Sequence, residues 1–212
     1  MVIYAVVPVK RIGVSKRRLS KSLNLQQRKL LAVAMLEDVL KALKSSAIDK
    51  ILVVSNDQGV RQIAENFGVD FYSPARKGLN AAIEEAWALC MRNKADSVLV
   101  LPADIPLVRT KDVDLIVTLG SKQRRIVLVP SRDGGTNALF QCPPHLVHAC
   151  FGPDSFQRHA MEACSKGVCV KFYYSLSAGL DIDSVEDLNL LLRVENQTKS
   201  KQVLSQIKLA KS

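Results

Sequence analysis

The chain has 212 residues, 48% apolar and 24% charged, which is the balance of an ordinary soluble protein and enough for one large domain with a real core. No run of about 18 or more uncharged apolar residues occurs, so no membrane span is expected, and the first residues lack a signal-peptide layout. A net charge of +10 points to an anionic partner: a nucleotide, a phosphorylated metabolite, a nucleic acid or an acidic lipid.

In chain order, Val2 to Val7 reads as a first strand. A basic loop follows. No acid occurs from Met1 to Leu36, while Lys10, Arg11, Lys16, Arg17, Arg18, Lys21, Arg28 and Lys29 fall in that stretch. Leu25 to Leu43 has helical periodicity, with Asn24 and Gln27 placed as a capping box. Lys50 to Ser55 is expected as a strand, Gln58 to Phe67 as a helix and Val69 to Tyr72 as a short strand. Asn80 to Arg92 reads as a helix and Ser97 to Leu101 as a buried, valine-rich strand. Then come a helix near Lys111 to Leu119 and strands at Ile126 to Val129 and Asn137 to Gln141. A helix over Ser155 to Cys164, a strand over Val168 to Tyr174 and a helix over Ser184 to Arg193 complete the series.

This alternation predicts an α/β fold: a single domain with a mixed, mostly parallel sheet covered by helices. The loop-rich stretch after residue 129 is where an antiparallel or mixed portion is expected. The domain is read as residues 1–192. Residues 193–212 form a polar, lysine-rich tail expected to be weakly ordered or helical. The five cysteines, Cys90, Cys142, Cys150, Cys164 and Cys169, form no C-x-x-C pair, so reduced thiols in a cytoplasmic protein are expected.

Ligands of open α/β sheets sit beyond the carboxyl ends of the strands. Lys10, Asp57 and Asp104 each lie a few residues past such an end. Asp104, in LPADIPLV, reads either as a metal ligand in a cleft or as a turn or cap aspartate. The first loop has neither G-x-G-x-x-G nor G-x-x-x-x-G-K-[ST], because Gly13 has no second glycine at the required place. Its lysines and arginines can instead hold phosphates as point charges and guanidinium forks. In GLDIDSVEDL, Asp181 and Asp183 are two apart and point the same way in extended backbone. With Asp104 they form a reasonable Mg²⁺ cluster. PSRDGGTNALF and FGPDSFQRH are each either a plain turn or cap or an anion site, built on Thr136 and Asn137 in one and on Gly152 and Ser155 in the other. Asn80 reads as a helix cap.

VPVK with the loop through Arg18 and Leu19, GLNAAI, LPADIPLV, GGTNALF, FGPDSF and GLDIDSVEDL occur in this order. From about Val2 to Leu192 the chain resembles the 2-phospho-L-lactate guanylyltransferases of the deazaflavin-coenzyme pathway. More widely it is similar to the nucleotide-diphospho-sugar transferase fold, a GT-A-like Rossmann variant that the molybdenum-cofactor guanylyltransferases share. The resemblance implies transfer of GMP from GTP to 2-phospho-L-lactate, or to phosphoenolpyruvate or 3-phosphoglycerate, with Mg²⁺ as cofactor and a homodimer as a possible assembly. It implies nucleotide binding by Pro8, Lys10, Arg18, Lys21 and Asn80, with Lys10, Arg18 and Asp104 catalytic. It implies metal binding by Asp104, Asp181 and Asp183, and acceptor binding by Thr136, Asn137, Gly152 and Ser155. Asp154 stands where a glycine is frequent in that family. Two alternatives stand beside this reading: another nucleotidyl or glycosyl transfer on the same fold, and a nucleic-acid-binding module. The second is disfavoured by an aromatic content of 5% and by the lack of a reader motif.

Overall fold

The computed structural model describes residues 1–12, 16–195 and 197–209. Gly13, the middle of the basic loop and Lys211 of the tail lie outside the described residues. The strands are β1 (Ile3–Pro8), β2 (Lys50–Val54), β3 (Asp70–Tyr72), β4 (Ser97–Val100), β5 (Arg125–Pro130), β6 (Thr136–Cys142) and β7 (Cys169–Phe172). They form one sheet in the order β3-β2-β1-β4-β6-β5-β7. The pairings of β1 with β2 and β4, of β2 with β3 and of β5 with β7 are parallel, and β6 runs antiparallel between β4 and β5. The mixed portion therefore lies in the stretch after residue 129, as expected.

The helices are α1 (Leu25–Lys44), α2 (Gln58–Phe67), α3 (Leu79–Arg92), α4 (Thr110–Gly120), α5 (Ser155–Ser165), α6 (Leu176–Gly179), α7 (Val185–Arg193) and α8 (Lys199–Leu209), with a 3-10 turn at Arg17–Lys21. Strand alternation sorts the core into two layers. Ile3, Ala5 and Val7 of β1 join α1, α2 and α4 on one face. Tyr4 and Val6 join α3, with Trp87 fully buried, and α5 on the other. Because both faces are covered, β1 and β4 read as continuous apolar runs.

Local chemistry sets the helix starts. The Asn24 side chain accepts the Gln27 N–H at 2.9 Å and the Gln27 side chain accepts the Asn24 N–H at 3.0 Å, a reciprocal cap that contributes about 1 kcal/mol. Asp57 caps α2 through the Gly59 N–H at 2.8 Å and also accepts the Ile12 N–H at 3.0 Å, which ties the basic loop to α2. Gly78, with φ 101°, is the N-cap of α3. That backbone suits glycine and leaves Asn80 free of the capping role expected for it.

The tail is helical, and it is packed rather than frayed. Leu204 is fully buried and Ile207 nearly so, in a cluster with Leu31 and Met35 of α1 and Leu188 and Leu191 of α7. Asp38 of α1 accepts the N–H groups of Lys199 and Ser200, both at 2.8 Å. One helix thus supplies the cap for another.

Candidate active site

Strand order reverses between β1 and β4, since the chain moves outward from β1 through β2 to β3 and then returns to β4 on the other side. Such a switch point leaves a crevice outside the carboxyl ends of the strands. A cleft of about 590 Å³ lies there. Pro8, Val9 and Lys10 leave β1 into it, and Pro102, Ala103 and Asp104 leave β4. Because β6 is antiparallel to β4, its first residues, Thr136 and Asn137, stand at the same end of the sheet. Leu79 and Ile83 of α3 and Ala32 and Met35 of α1 add apolar wall.

Pro8, Lys10, Arg18, Asp104, Thr136, Asn137, Gly152, Asp181 and Asp183 all line this one cleft. The i, i+2 reading of GLDID holds: Leu180 and Ile182 are buried while Asp181 and Asp183 face the cleft. The Ile182 N–H donates to the Asp104 carbonyl at 2.9 Å, which joins the two acid-bearing loops.

Three of the expected site residues lie outside the wall. Lys21 ends the 3-10 turn and is exposed. The Asn80 amide is spent on the Phe151 backbone, donating to its carbonyl at 3.1 Å and accepting its N–H at 2.8 Å. These bonds brace the loop that carries Gly152. Ser155 is fully buried. Its N–H closes a turn onto the Gly152 carbonyl at 3.1 Å, and its hydroxyl donates to Thr136 Oγ1 at 3.1 Å. The helix start at Ser155 therefore packs directly behind Thr136 of the cleft wall.

Lys16 is a site residue that sequence reasoning left inside the general basic loop. Its Nζ lies 2.8 Å from Asp104 and 2.6 Å from Asp183, with the side chain 6% exposed. Burial works against the lysine's charge, but the carboxylates of Asp104 and Asp183 outweigh it and raise the ammonium above its usual value. Burial likewise opposes ionisation of Asp104, and Lys16 overcomes it to hold that carboxyl below the ordinary range. Asp181 has no such partner among the described residues: burial first, then the charges of Asp104 and Asp183, push its carboxyl up. Asp133, also on the wall, accepts from the Ser131 hydroxyl and the Gly135 N–H. Lys16 opens the 3-10 turn from a left-handed backbone, φ 56°, and no local sequence signal separates it from the other basic residues of the loop.

The described walls carry three cationic side chains, Lys10, Lys16 and Arg18, against four carboxylates, Asp104, Asp133, Asp181 and Asp183. The interior is thus slightly acidic in a basic protein. Asp104 and Asp183 converge on one position already taken by an ammonium, which suits a cation. Among the described residues no three His, Cys, Asp or Glu side chains are grouped closely enough to cage a metal alone. The donor set fits a hard ion that takes one or two carboxylates and borrows phosphate oxygens, which is how magnesium binds. The Asn137 Nδ2, in a residue 5% exposed, has no protein partner among the described residues. An orphan buried donor on a cleft wall is a ready contact for a ligand oxygen.

A switch-point cleft with paired carboxylates and a cationic first loop is the layout of a nucleotidyltransferase. Over residues 3–212 the chain matches the family described as "Guanylyl transferase CofC like" and belongs to it; it is a guanylyltransferase. It is 35% identical to a phosphoenolpyruvate guanylyltransferase of Roseiflexus castenholzii, over all of this chain and 98% of that one. It is 34% identical to a 2-phospho-L-lactate guanylyltransferase of Methanocaldococcus jannaschii, over 95% of this chain and 88% of the other. A solved structure from Desulfovibrio desulfuricans G20, assigned to the nucleotide-diphospho-sugar transferases, superposes with a TM-score of 0.82. It covers 99% of this chain and 96% of that one at 17% identity, which is a likeness of fold.

Proposed function

We propose that this chain joins GMP from GTP to the phosphate of a three-carbon phosphorylated acid, in deazaflavin coenzyme biosynthesis. The acid is 2-phospho-L-lactate or its close analogues phosphoenolpyruvate and 3-phosphoglycerate, and pyrophosphate is released. A phosphate oxygen of the acid attacks the α-phosphorus of GTP. The new P–O bond forms as the α–β bridging bond breaks, and pyrophosphate carries the electron pair away. The second pKa of a phosphomonoester is roughly 6, so the nucleophile arrives already mostly ionised.

The observation that carries this reading is the charge layout of the cleft. Among the described residues no histidine lines the cleft, and an acceptor phosphate that is already ionised needs no base to generate the nucleophile. The cleft instead offers cations and carboxylates. Asp104 and Asp183, with Asp181 beside them, would hold Mg²⁺. Bound there, the ion supplies the neutralisation that two repelling phosphates need. Lys10, Lys16 and Arg18 would hold the triphosphate in line. Thr136, Asn137 and Gly152 would take the acid, which presents a carboxylate as well as the reacting phosphate.

The test is incubation with GTP, Mg²⁺ and each acid in turn, with pyrophosphate as the readout and CTP and ATP as controls. Release that requires GTP, Mg²⁺ and one of the three acids is expected, and the fastest acid is the substrate. Equal rates with CTP, or none with any acid, would refute the proposal.

A further inference from the structure

His159 lies in the first turns of α5, fully buried, edge-on to Phe151 at 5.0 Å between ring centres. Its Nε2 is 3.2 Å from the Cys150 backbone N–H. A backbone N–H can only donate, so Nε2 accepts, and the proton of the neutral ring is on Nδ1. Burial drives the imidazole pKa down to about 4, against the opposing charge of Glu162 and a weaker contact of the ring with the Ser155 carbonyl. The ring is therefore neutral near pH 7. Nδ1 lies 3.0 Å from Thr136 Oγ1 and donates to it. The Ser155 hydroxyl donates to the same oxygen at 3.1 Å.

Both lone pairs of the Thr136 hydroxyl are then filled from behind. Its own hydrogen is left with the remaining direction, and Thr136 is on the cleft wall, 7% exposed. We propose that His159 is a positioning residue for acceptor recognition: with Ser155 it fixes the Thr136 hydroxyl as an obligate donor aimed at an oxyanion of the acid. A threonine hydroxyl free to rotate could equally accept, and would then tolerate a ligand that presents a donor. One locked into donation favours a carboxylate or phosphate oxygen and leaves an unpaired donor against anything else. The signal in the sequence is the spacing of Ser155 and His159, four apart on one helix face, behind the strand start that carries Thr136.

This inference rests on the reading of the Thr136 side of the cleft as the acid-binding end, and a mutant cycle separates the two. Michaelis constants are measured for the acid at saturating GTP and for GTP at saturating acid. Thr136→Val should raise the constant for the acid about tenfold or more, the scale of a hydrogen bond to a charged group, and that for GTP less than about twofold. Thr136→Ser should stay near wild type. His159→Gln keeps an acceptor for the Cys150 N–H but loses the donor to Thr136, and should raise the acid constant severalfold. His159→Asn restores an N–H near the Nδ1 position and should recover most of that loss. In the Thr136→Val background, His159→Gln should add nothing. Ser155→Ala provides a second cycle should His159→Gln unfold, as judged by thermal melting.

Effects of His159 and Thr136 that multiply, or an Asn variant no better than Gln among folded proteins, would overturn the positioning role. A Thr136→Val defect confined to GTP would overturn the acid-end reading instead, while the cycle still measures the coupling of His159 to Thr136.

Discussion

Lys16→Met tests whether an ammonium stands where a metal would bind. The lysine side chain is 6% exposed, while its partners Asp104 and Asp183 are 35% and 41% exposed. Removing one member of a fully buried ion pair costs about 3–5 kcal/mol, and an exposed pair contributes about 0–1 kcal/mol. The carboxylates here keep part of their hydration, and methionine replaces the packing of the lysine stem. The loss should therefore fall between these limits, at about 1–2 kcal/mol. For a chain of this size that lowers Tm by about 2–8 °C. Magnesium titrated without nucleotide should then raise the Tm of Lys16→Met more than that of wild type, because in the variant the ion meets free carboxylates and has no ammonium to displace. Lys16→Arg, which keeps a cation, should respond as wild type does. Thermal unfolding across a magnesium series is the assay. Equal magnesium responses in Lys16→Met and wild type would refute the shared-position argument, as would an unchanged Tm in the absence of metal.

Three further outcomes follow from the same geometry. Asp104→Asn keeps size but removes charge, and turnover should fall at least about 100-fold with the fold intact; near-normal turnover in a folded variant would make Asp104 a turn residue. Asp154 holds φ 55° with no side-chain cap bond, so Asp154→Gly should stabilise the protein by about 0.5–1 kcal/mol, read from a denaturant midpoint; a loss would show that the left-handed turn is not strained. Asp112 is fully buried, and although burial opposes its ionisation, bonds from Arg109, Ser177 and Tyr173 hold its carboxyl down at about 2 against 3.8. This depressed pKa contributes about 2 kcal/mol that is complete above about pH 4 and lost as pH falls through about 2. Asp112→Asn should flatten the stability profile over that window, and an unchanged acid limb in urea unfolding would contradict the linkage.

The apolar runs of β1 and β4 and the capping box at Asn24 and Gln27 are local signals, and the sequence read alone placed them with small shifts at the ends. The same holds for Asp181 and Asp183, where the alternation of a short extended stretch decides which way the carboxylates point. What local pattern could not carry is pairing across the chain. Asn80 looks like a cap until Gly78 is seen to take that place and Phe151 to claim the amide. At Ser155, only the fold shows the N–H closing a turn onto Gly152 and the hydroxyl reaching Thr136. Lys16 is one of eight basic residues in an acid-free stretch, and only the fold brings it between Asp104 and Asp183. The α8 tail has just three apolar residues among the first nine of its helix, Val203, Leu204 and Ile207. It is held by a groove of α1 and α7 and by the Asp38 carboxylate, neither of which is adjacent in sequence.

The overall charge and the charge of the cleft have opposite signs, and the difference divides the work between them. A net charge of +10 and an acid-free first segment draw anions toward the molecule over distances of about a Debye length. Inside, the four carboxylates on the described walls outnumber the three cations, so a bare triphosphate that reaches the floor meets like charge. Asp181 is the point of strain, since burial first, and then the charges of Asp104 and Asp183, push its carboxyl up. Of the two ways to relieve it, protonation leaves the phosphates uncompensated, while a divalent cation cancels carboxylate and phosphate charge together. On the proposed reading, the acids would make productive binding conditional on a divalent ion. A cleft lined with cations alone would hold GTP more tightly but would gain little at the moment of transfer, because binding ground state and transition state equally does not lower the barrier between them.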